Sequence, residues 1–242
     1  TLLKLISGLL FPDEGKVEVM GFEPKKRQVG FLSNLFFLPE EFNNYKMTIA
    51  SYANTHSCFY PKFSQQDFVS YLEDFEITDL KHKMEALSYG TKKKVFIAFG
   101  LATHTDLIIM DEPTNGLDIP SKAQFRKIIL RAMSEDTTII ISTHQVRDLH
   151  NLIDSIIILD EGKILLNASN QEITSKLYFG VSDSDIPQDD VLFSDDTIRG
   201  LEIVKENKEN LDSNLDIELL FNAVFSNKKK IKELFNQNKM ED

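Results

Sequence analysis

The 242-residue chain carries 38 acidic against 27 basic side chains, a net charge of −11 at pH 7, with 42% apolar residues and a single cysteine. That length and apolar content suffice for one large domain, or a domain with an appendage, without covalent staples, and Cys58 alone excludes an internal disulfide. The acidic balance, with no basic face, excludes the usual footprint of a duplex-binding protein, so no nucleic-acid partner is expected. The longest apolar runs, such as Val95 to Ala102, fall far short of the roughly 20 residues that span a bilayer.

Thr1 leads straight into Leu2-Leu3-Lys4-Leu5-Ile6-Ser7-Gly8-Leu9-Leu10, whose apolar positions fit a helical stripe. A helix with no cap ahead of it carries the expectation that residues precede Thr1. After Pro12, the turn Asp13-Glu14-Gly15 leads into Lys16-Val17-Glu18-Val19-Met20-Gly21, whose alternation predicts an edge strand. Phe36-Phe37-Leu38-Pro39-Glu40-Glu41-Phe42 then sets acids just behind a short apolar run. Residues 48–86 read as mostly helical, and Ser64 can cap a helix whose Phe68, Leu72 and Phe75 make a core stripe.

Leu87-Ser88-Tyr89-Gly90-Thr91 opens a helix over Lys92 to Thr103, and the free amides at such a start make an anion site. A serine and a glycine there suit a backbone that must approach phosphate closely. The charge run Lys92-Lys93-Lys94 reads as a solvated helix face. Leu107-Ile108-Ile109-Met110 is a buried strand that delivers Asp111 and Glu112 to the carboxyl edge of a parallel sheet, where ligands sit. Pro113 and Gly116 then force a turn, and Pro120 suits the first turn of a helix over Ser121 to Met133. Thr137 to Thr143 is a second buried strand and ends on His144; residues 146–153 read as helical, and Ser155 to Leu159 with Lys163 to Leu166 as a hairpin around Asp160-Glu161-Gly162.

Strand, helix, strand, helix in this order predicts an α/β fold with a mostly parallel sheet and right-handed connections. From Asn170 the composition shifts: residues 170–242 hold 16 acidic and 9 basic side chains, with Asp183, Asp185, Asp189, Asp190, Asp195 and Asp196 crowded together. That stretch reads as an acidic linker and a small C-terminal accessory region with a helical pattern from Leu215 to Phe235.

Taken together, these residues resemble the nucleotide-binding subunit of an ATP-binding cassette (ABC) transporter over nearly all of residues 1–169. LIIMDEPTNGLD resembles the family's Walker B strand and D-loop, LSYGT its signature sequence, more commonly LSGGQ, and IISTH its switch-histidine strand; the three stand in the family's order. The resemblance implies a P-loop NTPase-like sheet over residues 1–169, with residues 48–86 and the signature helix 91–103 as a helical subdomain. It implies that Asp111 supports Mg2+, that Glu112 polarises the attacking water, and that His144 senses the γ-phosphate of ATP. Ser88 and Gly90 would complete the ATP site of a second subunit, and Asp118 would communicate between the two sites.

The glutamine loop of the family has two possible registers here, Gly30 to Asn34 or Phe37 to Glu40. The second is preferred, because Pro39 and the stretch Tyr45 to Thr48 fall at the family's distances, and Glu40 would then be a second Mg2+ contact. Tyr89 and Thr91 depart from the common signature, and with Lys92 to Lys94 they resemble exporter-type subunits. The family's Gly-rich phosphate loop, with its lysine and Ser/Thr, does not occur in the sequence; Thr1 would be the residue just after it, so the chain by itself is expected to be inactive.

The function these residues imply is an ATP-hydrolysing subunit that powers a membrane exporter through ATP-dependent dimerisation. Its partners would be a second ATPase subunit, identical or paired, and a transmembrane permease, and it would be cytoplasmic, peripheral on the inner face of the cell membrane. A soluble ABC ATPase without a transport role, or a non-catalytic regulatory subunit, are the alternatives.

Overall fold

The computed structural model of the chain describes residues 1–149, 152–182, 191–198 and 200–236. Two compact units divide it, Thr1–Asp148 and Leu149–Asp242.

In the first unit, β1 (Leu35–Leu38), β2 (Leu107–Asp111) and β3 (Thr138–Ser142) form a parallel sheet in that order. Leu38 lies opposite Met110, and Asp111 opposite Ser142. A strand covered on both faces has no use for alternation, and the continuous apolar run of β2 is buried from Leu107 to Met110. Because all three strands run the same way, the segments that follow them emerge at one edge. Glu40, Glu112 and His144 all stand in those segments.

One side of the sheet is closed by Phe31, Leu35, Leu107 and Ile109, against which Leu3, Ile6, Val19, Phe22 and Ile140 pack. Leu3 and Ile6 belong to α1 (Leu2–Ile6) and Phe31 to α2 (Val29–Leu32). Gly8 ends the first helical run with a φ of +69°, and a Cβ there would stand 2.6 Å from the Pro24 carbonyl oxygen, so only glycine lets the chain turn. The edge strand expected over Lys16 to Gly21 is not formed. Only Val19 and Phe22 exchange backbone hydrogen bonds, each 2.9 Å, around the left-handed pair Met20 and Gly21. Alternation alone does not make a strand where no neighbour offers its backbone.

The helical segment consists of α3 (Ile49–His56) and α4 (Gln65–Asp74), with short 3-10 turns at Ser57–Phe59 and Met84–Ala86. Thr48 and Ser64 cap the two helices through their side chains, accepting from the amides of Ser51 and Asp67 at 3.1 Å each. Both pack near α5 (Tyr89–Ala102), whose residues Val95 to Ala102 are all buried. Phe99 sits at the centre, with the ring centroids of Phe36, Tyr52, Tyr60, Phe63 and Phe68 between 5.1 and 6.0 Å away. Burying such a ring contributes about 1.5–3 kcal/mol, and the cluster is where the helical segment meets the sheet. Phe68, Leu72 and Phe75 are core, as the periodicity indicates. The unit continues through α6 (Ile119–Ala132), which has Pro120 in its first turn and is capped by Asp118.

In the second unit, β4 (Ser155–Asp160) and β5 (Lys163–Ser169) form the expected hairpin. Glu161 and Gly162 both have positive φ, as a two-residue turn matching the strand twist requires. Following α7 (Asn170–Lys176), β6 (Leu177–Ser182), β7 (Val191–Thr197) and β8 (Gly200–Glu206) make an antiparallel sheet in the order β6-β8-β7. The helical pattern from Leu215 to Phe235 separates into α8 (Ile217–Ser226) and α9 (Lys228–Asn236). Asp195 and Asp196 lie on β7, whereas Asp183, Asp185, Asp189 and Asp190 fall outside the described residues.

Candidate functional site

The site is built where β2 and β3 end. Asp111 closes β2, and the Ser142 hydroxyl, directly opposite in the register, donates to its carboxylate. Glu112 donates its amide to the Ser142 carbonyl at 2.9 Å and then turns into the left-handed region at φ +47°. A non-glycine residue held there carries strain, and the surroundings must hold it in place. Two donors do so at its carbonyl: the Asn115 amide at 3.2 Å and the Lys93 ammonium at 2.8 Å.

The Glu112 carboxylate is held as firmly as its backbone. One oxygen accepts from the Thr143 hydroxyl at 3.0 Å; the other accepts from the His144 amide at 2.9 Å and lies 2.7 Å from His144 Nδ1. With the proton on Nδ1 this last contact is a charge-assisted hydrogen bond. The Glu112 side chain is 14% exposed and that of His144 68%, so the acid is sheltered while the imidazole reaches outward. A carboxylate fixed in this way is oriented before any substrate arrives, as a group that positions or deprotonates a water must be.

A second group of contacts comes from the start of α5. Ser88 is its cap, accepting from the Thr91 amide at 3.1 Å. Gly90 lies against the Pro113–Asp118 turn, where a Cβ would stand 2.8 Å from the Gly116 carbonyl oxygen. Tyr89 stacks on Phe42 with centroids 5.0 Å apart and donates its hydroxyl to the Glu40 carbonyl at 2.6 Å. The Glu40 carboxylate in turn accepts from the Asn115 side-chain amide at 3.1 Å. Glu40, Tyr89, Asn115 and Glu112 are thereby joined by direct contacts.

The remaining expected residues stand apart from that group. Asp118 caps α6, and the Ser121 hydroxyl and amide hold its carboxyl below the usual range. Thr1 precedes α1, where its carbonyl accepts from the Leu5 amide at 3.1 Å, and it takes no part in the contacts around Glu112. Asn34 stands before β1, at the opposite end of that strand from Glu40, and donates its side-chain amide to the Gly30 carbonyl.

Lys93 overturns the reading of the Lys92 to Lys94 run as a solvated face, because it is fully buried. Burial pulls its ammonium below the ordinary lysine range, and the nearby charges of Glu40, Glu112 and Asp111 oppose that shift. The signal was present in the sequence. Lys93 shares a helical stripe with Tyr89 at i−4 and with buried Phe96 and Gly100 at i+3 and i+7. Thr143 and Asn115, which hold Glu112 and Glu40, carry no periodic signal and become visible only once the turns are folded.

The ABC transporter family model matches residues 1–115. The bacitracin transport ATP-binding protein BcrA of Bacillus licheniformis is 30% identical over 68% of this chain, which spans 55% of that relative's length. A solved ATP-binding subunit of an ABC transporter superposes with a TM-score of 0.63 at 22% identity, over 71% of this chain and 74% of the other. An ATP-binding protein from Pyrococcus furiosus assigned to the same transporters gives 0.51 at 31% identity, over 60% of this chain and 72% of that one. With the α/β sheet of a P-loop NTPase carrying these motifs at its carboxyl edge, the chain belongs to the ATP-binding proteins of the ABC transporters.

Proposed function

We propose that the chain is the motor part of an exporter, hydrolysing ATP between two ATPase subunits paired head to tail and passing the movement to a transmembrane permease. The observation that carries this reading is the hold on Glu112, whose carboxylate accepts from the Thr143 hydroxyl and the His144 amide and lies 2.7 Å from His144 Nδ1. In this reading Glu112 orients and deprotonates the attacking water, and His144 contacts the γ-phosphate. Ser88 and Gly90 act on the nucleotide of the opposite subunit, bringing a hydroxyl and the amides at the start of α5 to it. Asp118, at the start of α6, lies in the turn that would report one site to the other.

Asp111 and Glu40 would hold Mg2+. The donor set is oxygen, which suits this cation, and among the described residues no three His, Cys, Asp or Glu cluster as an all-protein cage. Mg2+ is ordinarily held by one or two carboxylates together with phosphate oxygens and water, so two carboxylates are enough. When bound, it neutralises charge on the phosphates.

The sequence contains no Gly-rich phosphate loop with its lysine, so the 242 residues alone are expected to bind MgATP weakly and to turn it over hardly at all. Among the described residues no helix is long and apolar enough to cross a membrane. In our reading the protein is peripheral on the cytoplasmic face, and residues 48–86 meet the permease. The transport role draws support from the bacitracin-transport relative, and the exporter assignment from the lysine-rich signature.

The test is kinetic. With a phosphate loop in place ahead of Thr1, the hydrolysis rate should rise with the square of enzyme concentration at low concentration, because each working site needs two chains. A rate strictly proportional to concentration, in a protein shown to be monomeric, overturns the proposal. Cysteines at residues 55–65 should crosslink to cytoplasmic loops of a co-purified membrane subunit; absence of any such crosslink removes the transport part.

A further inference from the structure

Tyr89 and Lys93 are one turn apart on α5 and therefore lie on the same face. The Lys93 ammonium sits 5.0 Å from the centroid of the Tyr89 ring, so the two side chains also touch each other. Each ends on a backbone carbonyl of an acid named above: Tyr89 Oη on Glu40 at 2.6 Å, Lys93 Nζ on Glu112 at 2.8 Å. Asn115 closes the circuit from the other side, with its side-chain amide on the Glu40 carboxylate and its backbone amide on the Glu112 carbonyl.

We propose that Tyr89 and Lys93 are positioning residues, a two-point clamp that fixes the Glu40 and Glu112 backbones at a set spacing on one rigid helix. Three observations favour this over simple packing. Lys93 is fully buried, and a methionine, which matches its stem without the ammonium, would fill most of that space without burying a charge, so the ammonium is kept for its bond to Glu112. Glu112 is in the left-handed region, a conformation that needs outside support. The Tyr89 ring also closes tightly on the turn after Glu112: a Cβ on Gly116 would stand 2.8 Å from it, so the tyrosine and that glycine fit as a pair. The inference rests on the proposed ATPase reading, since it gives the two acids a shared task.

The test separates the clamp from that reading. Tyr89→Phe keeps the ring and its stacking on Phe42, and Lys93→Met keeps the length of the buried stem. In the 242-residue chain, which needs no nucleotide for this measurement, either change should raise amide hydrogen exchange at Glu112 and Asn115 by about fivefold or more. The amides of Ile97 to Ala102 should be unaffected. Unchanged protection at Glu112 and Asn115 overturns the clamp.

With a phosphate loop in place, each variant should lower kcat about tenfold and leave KM for MgATP within about twofold, the pattern of a group felt only in the transition state. The double variant should fall little further than the worse single, because a circuit opened once is already open. Additive losses, or a raised KM with kcat unchanged, count against a clamp. If Lys93→Met fails to fold, Lys93→Gln and Tyr89→Phe provide the same readouts. A parent protein that does not hydrolyse ATP refutes the proposed function while the exchange result still decides the clamp. A parent that does hydrolyse, with both variants at parental kcat, refutes the clamp alone.

Discussion

Asp111 and Ser142 are register partners across the β2–β3 pair, and the serine hydroxyl donates to the aspartate carboxylate at the very point where both strands end. A polar residue closing an apolar strand is thus matched by a donor on its neighbour. Ser142→Ala removes that donor and leaves a partly buried carboxylate short of one bond. The expected loss is about 1.5–3 kcal/mol, the range for hydrogen bonds to charged groups, read as a lower urea midpoint at unchanged slope.

Glu112→Gln is isosteric and removes only the charge. The amide oxygen can still accept from the His144 amide, and the Thr143 hydroxyl can turn to accept from the new side-chain N–H, so the turn should persist and nucleotide binding with it. Turnover with a phosphate loop joined ahead of Thr1 should fall by about a hundredfold, the scale for losing a general base. Phosphate release at steady state measures it, and a turnover within about threefold of the parent would place the catalytic role elsewhere.

The parallel sheet and its acidic edge could be read from the sequence because β2 and β3 are continuous apolar runs bounded by turn residues, a pattern that needs no knowledge of neighbours. The same holds for the hairpin at Glu161-Gly162, where local backbone chemistry decides the turn. Reading failed where the outcome depends on what lies across the gap. Lys16 to Gly21 alternates like a strand but has no partner strand, and β7 pairs with β8 despite exposing Ser194, Asp195 and Asp196. β6 is interrupted by Gly180, which hides its alternation. The charge of Lys93 suggests solvent, whereas its place on the stripe of Phe96 decides its burial. At the site, Asp111, Glu112 and His144 were legible from strand ends, but Thr143, Asn115 and Tyr89 act through turn geometry that spacing does not encode.

Asp67 offers a pH test away from the site. The Ser64 hydroxyl first, and then His104, whose Nε2 lies 2.8 Å away, hold its carboxyl below the ordinary value of 3.8. A carboxyl with a folded-state value below its unfolded one stabilises the fold above the unfolded value and loses that contribution as pH falls through the folded one. Asp67→Asn should therefore flatten the acid limb of the stability curve below about pH 4. Thermal melts across the acid range check it; parallel curves for both proteins would remove the claim.

Gly100 reverses the usual rule for helix glycines. Replacing a mid-helix glycine by alanine ordinarily stabilises by up to about 1 kcal/mol. Here a Cβ would stand 2.2 Å from the Phe36 ring, inside the aromatic cluster. Gly100→Ala should instead cost about 1–3 kcal/mol, the range for overpacking, visible as a lower melting temperature. The paired change Gly100→Ala with Phe36→Leu should recover part of the loss.

The left-handed backbone of Glu112 sets durability against work at a single position. Glycine accepts that conformation freely, whereas a residue with a side chain gives up roughly 1 kcal/mol or more to hold it. Glycine at 112 would relieve that strain, but it would also remove the carboxylate that accepts from Thr143 and His144, so the gain is offset by the lost bonds while the group that the proposed chemistry needs is gone. A melting temperature close to the parent's is therefore no sign that a variant at this codon keeps the proposed activity.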